Sequence, residues 1–305
     1  MSAAGDLAPL ALAGWRLVLS EAQDAAVFVD EACAESLHWT GGVGGDAGPW
    51  RAGAAALRAF PGRRDGVQQQ QHRQPNKVVF ALSSPVLLGG RVAASLRDVV
   101  SAGGVHQCVV FTSVSHTAHL DLLQQQQGSA ADSEPRPVLF ELLEQNLRQW
   151  MSGSGGADCT ARVLHAAGIA LCPLASGVVL APASASLFPL VPSDLDGALA
   201  GGRGSSLNDV DVSALPAPYA SSLRLLAWWL DSALRHLGVR EECFAVGPTS
   251  RLLANELASL PPARARRKGA PGRASLVLVD RTLDLAGAVG HHGDSLAERI
   301  LGVLP

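Results

Sequence analysis

The chain has 305 residues, of which 48% are hydrophobic and 17% are charged. This composition supplies enough apolar material for a sizeable core and excludes a chain that is disordered throughout. The formal net charge of −3 gives no general attraction to nucleic acid or to an anionic membrane. The length fits two domains or one large domain.

The cysteines and the apolar stretch at residues 7–19 indicate the cellular compartment of the protein. Five cysteines occur singly, without a Cys-x-x-Cys pair, which favours buried reduced thiols over disulfides or a zinc site. Residues 7–19 resemble the apolar core of a signal peptide, but no Lys or Arg precedes them. No stretch approaches the ~20 uninterrupted apolar residues of a membrane span. We therefore expect a cytoplasmic protein that reaches membranes only through partners.

Five short apolar runs, each bounded by turn residues, predict β-strands. They lie at residues 25–30, 77–82, 108–112, 168–172 and 276–280. The runs are continuously apolar and do not alternate with polar residues. This pattern is typical of parallel strands that are covered on both faces.

Helical spacing separates the predicted strands. One apolar stripe comprises Leu88, Val92, Leu96 and Val99, and another comprises Leu223, Leu226, Leu230, Leu234 and Leu237. Gly238 follows the second stripe as a C-cap. Strands that alternate with helices predict a Rossmann-like α/β fold, a parallel sheet flanked by helices. We place this first domain at residues 1–174 and an incomplete second α/β domain at 175–305.

Several biased segments are predicted to be solvated. The glutamine runs at 68–71 and 124–127 are interpreted as loop expansions, and the glycine-rich stretches at 41–48 and 201–204 as flexible links. A basic cluster is predicted to be a solvated loop, with a nuclear signal, a phospholipid contact or a nucleic-acid patch as alternatives. The cluster comprises Arg264, Arg266, Arg267, Lys268 and Arg273.

Enzymatic motifs are weak in this sequence. Gly42-Val43-Gly44 imitates a dinucleotide fingerprint but begins more than ten residues after the first predicted strand, where the fingerprint follows its strand directly. No P-loop and no Gly-x-Ser-x-Gly elbow occurs. His116 and His119 are interpreted as surface polar residues, and the neighbours His291 and His292 point apart and cannot chelate one ion. We predict no catalytic, cofactor or metal site, with a nucleotide-dependent enzyme as the competing class.

One group of charged residues stands at the end of the fifth predicted strand. Asp280, Arg281 and Asp284 place two carboxylates around one guanidinium. Such a group can form an ion pair that locks a strand-to-helix corner. No nucleophile or phosphate loop accompanies it, so we predict a structural role.

These residues resemble a known family. The apolar run at 276–279, then Asp-Arg-x-x-Asp at 280–284, then His291, is similar to the signature of the Sec-one/Munc-eighteen (SM) family. Earlier pieces follow in the family's order: a first strand ending in Asp30, a second followed by Ser83-Ser84-Pro85, and a third ending at residue 112. The resemblance spans nearly the whole chain.

The resemblance implies a non-enzymatic, monomeric regulator of vesicle docking and fusion that binds syntaxin-type SNAREs and does not bind nucleic acid. In the family, the loop after the first strand faces syntaxin, and Asp30 matches its acidic position. Glu35 stands where well-studied members carry a basic residue, which leaves open a scaffold for a vesicle-tethering complex without SNARE contact. Asp280, Arg281, Asp284 and His291 would form the structural signature.

The resemblance also predicts how the two domains differ. Leu285 and Ala288 replace family prolines, which indicates a divergent branch. In the family, the sheet of the second domain is completed only after a helical third domain. We therefore expect the first domain to fold well and the second poorly, with the fifth strand lacking neighbours and leaving an exposed edge.

Overall fold

The structure is a computed structural model that describes residues 6–44, 54–60, 76–87, 90–102, 104–127, 139–153, 158–185 and 215–284, with single residues at 187, 210 and 212. The chain divides into two compact units, Met1–Ala185 and Ser186–Pro305. The assignment of residues 1–174 and 175–305 to two family domains stays a prediction.

The first unit alternates helices and strands. Its helices are α1 (Ala8–Ser20), α2 (Glu31–Gly44), α3 (Arg91–Val100), α4 (His116–Gln127) and α5 (Leu139–Ser152). Its strands are β1 (Ala25–Val29), β2 (Ala56–Ala59), β3 (Lys77–Leu82), β4 (Gln107–Thr112) and β5 (Thr160–His165), followed by a hairpin of β6 (Cys172–Ala175) and β7 (Val178–Leu180). Short 3₁₀ helices cover Ala167–Ala170 and Pro182–Ser184.

The main sheet is parallel, with the strand order β2-β1-β3-β4-β5. All five residues of β1 are buried, and β3 and β4 are buried except at their first residues. The edge strands β2 and β5 carry exposed polar residues. The predicted Rossmann-like parallel sheet is therefore confirmed, with the apolar runs at its centre.

Helices cover both faces of this sheet, as continuous apolar strands require. On one face, Phe28 and Phe80 pack with α3 and α5. On the other face, Val27, Val79 and Phe111 pack with α1, α2 and the 3₁₀ helix Ala167–Ala170. The signal-peptide-like residues therefore lie in α1, whose Trp15 and Val18 belong to the core.

The fourth predicted strand, at residues 168–172, is wrong. Residues 167–170 form a 3₁₀ helix, and the strand lies earlier, at Thr160–His165. Ile169 is fully buried beneath α1, so its apolar character reflects packing and not strand formation. The glutamine run at 124–127 was also predicted wrongly as a loop, because it forms the last turn of α4.

The second unit contains a smaller sheet. Its described elements are α6 (Ala217–His236), β8 (Val239–Val246), α7 (Pro248–Ser259), α8 (Pro261–Gly269), β9 (Gly272–Val279) and a 3₁₀ helix at Arg281–Asp284. The helix α6 and the left-handed Gly238 (φ 66°) after it are confirmed, but the predicted stripe is confirmed only in part, because Leu223 and Leu234 are buried while Leu226 and Leu230 are half-buried. β8 and β9 pair in parallel over eight residues. The strand β8 was not predicted.

The basic cluster is not a solvated loop. Residues 261–269 form α8, and Arg266 is buried, with hydrogen bonds to Asp231, to Glu241 and to the carbonyl oxygen of Val239. Burial alone would raise the pKa of Glu241, but hydrogen bonds from Arg266 and Arg267 bring it below its ordinary value. The loop prediction failed because two buried acids, each more than 20 residues before Arg266 in the sequence, neutralise its charge.

In the second unit, one face of the sheet is exposed as far as residues 215–284 describe it. Residues of β9 alternate between half-buried and exposed, and Phe244, Val246, Val277 and Val279 are exposed in register on the same face. Within residues 215–284, β8 is the only strand that pairs with β9. No helix among the described residues is long and apolar enough to cross a membrane.

Candidate partner-binding surface

The sequence order of the main sheet changes direction between β1 and β3. Ligands of open parallel sheets bind outside the carboxyl ends of the strands at such a switch point. Here Asp30 follows β1 and Ser83 follows β3, so both residues lie at this crevice. The predicted partner-binding residue Asp30 therefore stands where the fold usually places function.

Both carboxylate oxygens of Asp30 accept hydrogen bonds within the first unit. Its Oδ1 accepts a hydrogen bond from the Cys33 N–H (3.0 Å), which caps the first turn of α2. Its Oδ2 accepts hydrogen bonds from the Ser83 N–H (2.6 Å) and hydroxyl (2.8 Å). The side chain thus ties β1, α2 and the end of β3 together, and its negative charge occupies the helix N-terminus that nucleotide-binding folds offer to a phosphate.

Further hydrogen bonds continue along the same sheet edge. The Ser113 hydroxyl, after β4, donates to the Ser83 carbonyl (3.0 Å), and the His165 ring, at the end of β5, lies 3.2 Å from the Ser113 carbonyl. Four neighbouring strands are therefore connected at their carboxyl ends. The sequence analysis missed this network; a serine directly after each of two apolar runs was its only signal.

His119 lies beside this edge and is buried, so its interpretation as a surface residue is wrong. Its Nε2 accepts a hydrogen bond from the Val86 N–H (3.0 Å), and its Nδ1 lies 2.9 Å from the Ser115 carbonyl. These partners require a neutral ring with the proton on Nδ1. Burial lowers the pKa of His119 to about 4, which keeps the ring neutral. Within the described residues, no cluster of three metal-ligating side chains occurs.

Glu35, the second predicted partner-binding residue, is exposed on α2. Cys33, Ser36 and Thr40 form the buried side of this helix, while Glu35 and Trp39 face solvent one turn apart. Trp39 is 41% exposed, an unusual state for so large an apolar ring. The structure therefore separates the two predicted residues: Asp30 is an internal cap, and Glu35 is available at the surface.

The α2 helix also contacts the β6–β7 hairpin. The Ser36 hydroxyl donates to the Leu171 carbonyl just before β6, and the Trp15 indole N–H donates to the same hydroxyl (2.9 Å). Leu174, Val178 and Leu180 are exposed on the hairpin. A helix with an exposed tryptophan thus stands next to an exposed apolar hairpin.

Asp280, in the second unit, is also a cap. Its carboxylate accepts hydrogen bonds from the N–H groups of Thr249 (3.0 Å) and Ser250 (2.7 Å) and from the Ser250 hydroxyl. These groups begin α7, which follows the adjacent strand. Gly247 precedes them with φ 112°, and a Cβ at this position would overlap the Asp280 carboxyl group.

Among the other signature residues, the structure describes the side chain of Arg281. Arg281 is exposed in the 3₁₀ helix after β9 and forms no ion pair with Asp280. Asp284 ends that helix. His291 lies outside the described residues. The carboxylate of Asp280 therefore holds the strand-to-helix corner through α7 and not through the neighbouring arginine.

Fold and site together define an α/β protein with the fold of SM proteins. A solved structure of the SM protein Vps45 matches 89% of this chain and 42% of its own chain with a TM-score of 0.53 at 10% identity. A structure of SM protein Vps45 in complex with the Qa SNARE Tlg2 matches with a TM-score of 0.54 at 11% identity, over 90% of this chain and 40% of that chain. No protein-family model matches the chain.

Curated relatives confirm the resemblance to the SM family. Sec1 family domain-containing protein 2 of Mus musculus is 46% identical over 310 residues, covering 100% of this chain and 44% of the relative. The protein of the same name from Homo sapiens is 44% identical, with the same coverage. Sec1 family domain-containing protein MIP3 of Arabidopsis thaliana is 25% identical over 98% of this chain and 39% of its own length. The chain spans less than half the length of these relatives.

Proposed function

We propose that this protein is a non-enzymatic regulator of vesicle docking and fusion that acts in the cytoplasm by binding syntaxin-type SNAREs. The observation that carries the proposal is the 46% identity to a Sec1 family domain-containing protein across the whole chain. The SM fold supports it, since a protein of this fold is known in complex with a Qa SNARE. Contact with membranes then comes through these partners.

The geometry of the sheet edge supports a binding role over catalysis. In an enzyme of this fold class, the switch-point crevice would hold a substrate or a nucleotide phosphate. Here the Asp30 carboxylate fills the N-terminus of α2 and is bonded to Ser83 and Cys33. An anionic ligand would meet a negative charge at this position.

A scaffold for a vesicle-tethering complex is the second candidate. One observation favours it: the acidic residue that the family resemblance assigns to the syntaxin contact, Asp30, spends both carboxylate oxygens on internal hydrogen bonds. The remaining exposed residue of the predicted contact is Glu35, whose charge is opposite to the basic residue of well-studied members. Partner choice therefore has to be measured directly.

A pull-down with purified components tests both candidates. The immobilised protein is offered a panel of syntaxin-type SNARE cytoplasmic regions and vesicle-tethering complexes. We expect selective retention of one SNARE, and Glu35→Lys is expected to change that retention. Retention of a tether without any SNARE would establish the scaffold, and retention of neither would contradict both.

The variants need matched controls. Asp30→Asn removes an internal cap and is expected to lower stability, so a loss of binding by this variant counts only if its circular dichroism shows that it is still folded at the temperature of the pull-down. Glu141 is an exposed acid in the first turn of α5, and Glu141→Lys therefore reproduces the charge reversal of Glu35→Lys elsewhere on the first unit. Equal effects of the two reversals would indicate non-specific electrostatics.

A further inference from the structure

The basic residues on and around α8 concentrate positive charge in a chain that is acidic as a whole. Residues 257–279 contain five basic residues and no acidic residue, while the whole chain has a formal net charge of −3. The last turn of α8 alone contains Arg266, Arg267 and Lys268. A helix dipole favours cations at this end only modestly when they are exposed, so it does not by itself explain the concentration.

Two buried carboxylates hold three of the arginines in position. Asp231, on α6, accepts hydrogen bonds from Arg235 and from Arg266 (3.0 Å). Glu241, on β8, accepts hydrogen bonds from Arg266 and from the Nε of Arg267 (2.8 Å). Each carboxylate is therefore shared by two guanidinium groups, and charge-assisted hydrogen bonds fix the orientation of all three arginines.

This cluster contains more donors than acceptors. Two carboxylates serve three guanidinium groups, and the Nη2 of the buried Arg266 has no hydrogen-bond partner among the described residues. Arg264 and Lys268 add two further charges; both are exposed and form no ion pair within residues 215–284. The internal acids therefore leave positive charge at the surface of the second unit.

The exposed cations lie close together. Arg264 precedes Arg267 by three residues and Lys268 by four, so their side chains are neighbours on α8, about 6 Å apart. Arg235 lies beside them, because it shares a carboxylate with Arg266, and its side chain is 57% exposed. We call these four residues the α8 basic surface: Arg235, Arg264, Arg267 and Lys268.

The surroundings of this surface indicate which anion it fits. Among residues 215–284, the large hydrophobic side chains that are exposed lie on β8, on β9 or in the 3₁₀ helix after β9, and not on the helices that form the basic surface. A membrane-surface helix inserts large apolar side chains, and single-stranded nucleic acid stacks on aromatic ones. Guanidinium groups held in fixed positions instead suit carboxylates, which they bind through paired hydrogen bonds.

We propose that the α8 basic surface binds an acidic segment of a protein partner. Alternate residues of an extended segment, or successive turns of a helix, place carboxylates about 6–7 Å apart, which matches the spacing of Arg264 and Lys268. Complementary charge of this kind directs the encounter and fixes the orientation of two proteins. This inference rests on the proposed partner-binding function and assigns the chemistry of one part of the partner.

Two labelled peptides test this chemistry by fluorescence anisotropy. One is a peptide of about 20 residues with Glu at alternate positions between Ser and Gly, and the other has Gln in place of Glu. We expect the natural chain to bind the Glu peptide at least about tenfold more tightly, with an affinity that falls as salt is raised. Binding is expected to slow amide hydrogen exchange in α8 and at the end of α6. Equal affinities for the two peptides, or protection elsewhere, would overturn the inference.

Charge variants locate the binding. Arg264→Gln combined with Lys268→Gln is expected to weaken binding of the Glu peptide, and Arg264→Glu combined with Lys268→Glu is expected to abolish it. Both side chains are exposed, so circular dichroism should show a folded chain in each case. The matched control is Arg91→Glu combined with Arg97→Glu, two exposed cations of α3, and it is expected to leave the affinity unchanged. Equal losses in the two charge reversals would contradict the assignment to α8.

Other anions are separate arms of the same experiment. Vesicles containing phosphatidylserine and a DNA duplex are offered to the natural chain at about 150 mM salt. We expect weaker binding to both than to the Glu peptide. Tighter binding to either one would overturn the assignment to a protein partner and identify a membrane or a nucleic acid as the ligand.

The charge reversal on α8 also separates this inference from the proposed function. If a SNARE or tether is retained equally by the natural chain and by the variant with Arg264→Glu and Lys268→Glu, the proposed function stands and the α8 assignment falls. If the natural chain retains neither SNARE nor tether, the proposed function falls, whichever peptide binds.

Discussion

The two units use similar apolar runs but cover them differently. In the first unit, β3 is buried from its second residue to its last, because helices from the same unit pack on both faces of the sheet. In the second unit, β9 carries an equally apolar run, Leu276 to Val279, yet Val277 and Val279 are more than half exposed. An apolar run thus forms a strand in both units, but the run does not by itself supply a second covering layer.

Different contacts therefore stabilise the two units. Parallel sheets occur almost only with both faces covered, so the face of β8 and β9 that is exposed among residues 215–284 contributes little to the stability of the second unit. Its described residues rely more on local corners, such as the Asp280 cap, and on the buried Arg266 ion pairs. Mutations should therefore act through core volume in the first unit and through polar corners in the second.

Phe80→Ala should give the largest effect. Phe80 is fully buried and packs against Phe28 and Phe60, with ring centroids 5.0 and 5.3 Å away. We expect a loss of about 3–5 kcal/mol in the free energy of unfolding. The matched change Phe244→Ala, at a half-exposed side chain of β8, should cost less than about 1 kcal/mol. Denaturant unfolding of both variants measures the difference; equal costs would contradict the comparison.

The two aspartate caps should contribute differently to stability, because one is buried and the other is half-buried. Asp280 is buried and accepts three hydrogen bonds, so Asp280→Asn should cost about 3 kcal/mol, because the amide group then faces backbone donors. Asp30 is half-buried, and Asp30→Asn should cost about 1–2 kcal/mol. Asp98→Asn, an exposed change on α3, serves as the control in thermal unfolding. A larger cost at Asp30 would show that the sheet edge of the first unit is the more tightly held corner.

Two glycine substitutions in the second unit should also differ in their cost to stability. Gly247 and Gly238 both have positive φ, but only at Gly247 would a Cβ overlap a side chain, that of Asp280. We expect Gly247→Ala to cost about 3 kcal/mol and Gly238→Ala about 1 kcal/mol. Double variants with Asp280→Asn provide the test. The cost of Gly247→Ala should shrink in that background, because the cap is already weakened, while the cost of Gly238→Ala should not change.

The centre of the fold could be predicted from sequence, but its periphery could not. The runs at 25–29, 77–82 and 108–112 are strands because β-branched and aromatic residues there are buried on both faces. β5 escaped prediction because an edge strand keeps polar residues such as Thr160 and Arg162 on its exposed side. β8 escaped because it contains Glu241, whose burial depends on arginines 25 and 26 residues later.

The candidate site was also predicted only in part, because it too depends on contacts between residues that are distant in sequence. The position of Asp30 at a strand end follows from sequence, but its hydrogen bonds to Ser83 depend on β1 and β3 lying side by side. The exposure of Trp39 likewise depends on where α2 meets the hairpin. Contacts between residues distant in sequence decide which side chains form internal hydrogen bonds and which stay exposed to a partner.

The smallest predicted effect concerns pH and again contrasts a buried group with an exposed one. Burial lowers the pKa of His119 to about 4, whereas an unfolded histidine titrates near 6.5. The unfolded chain therefore binds a proton at His119 between these values while the folded chain does not, so stability is complete above pH 6.5 and declines as pH falls toward 4. The slope contributed by this group is at most about 1.4 kcal/mol per pH unit.

The free energy of unfolding measured from pH 7 to 4.5 tests this contribution. His119→Gln should remove the part of the slope that His119 contributes, and His38→Gln, an exposed change on α2, should retain it. A slope unchanged by His119→Gln would show that His119 is not the buried neutral ring on which the corner between Val86 and Ser115 depends.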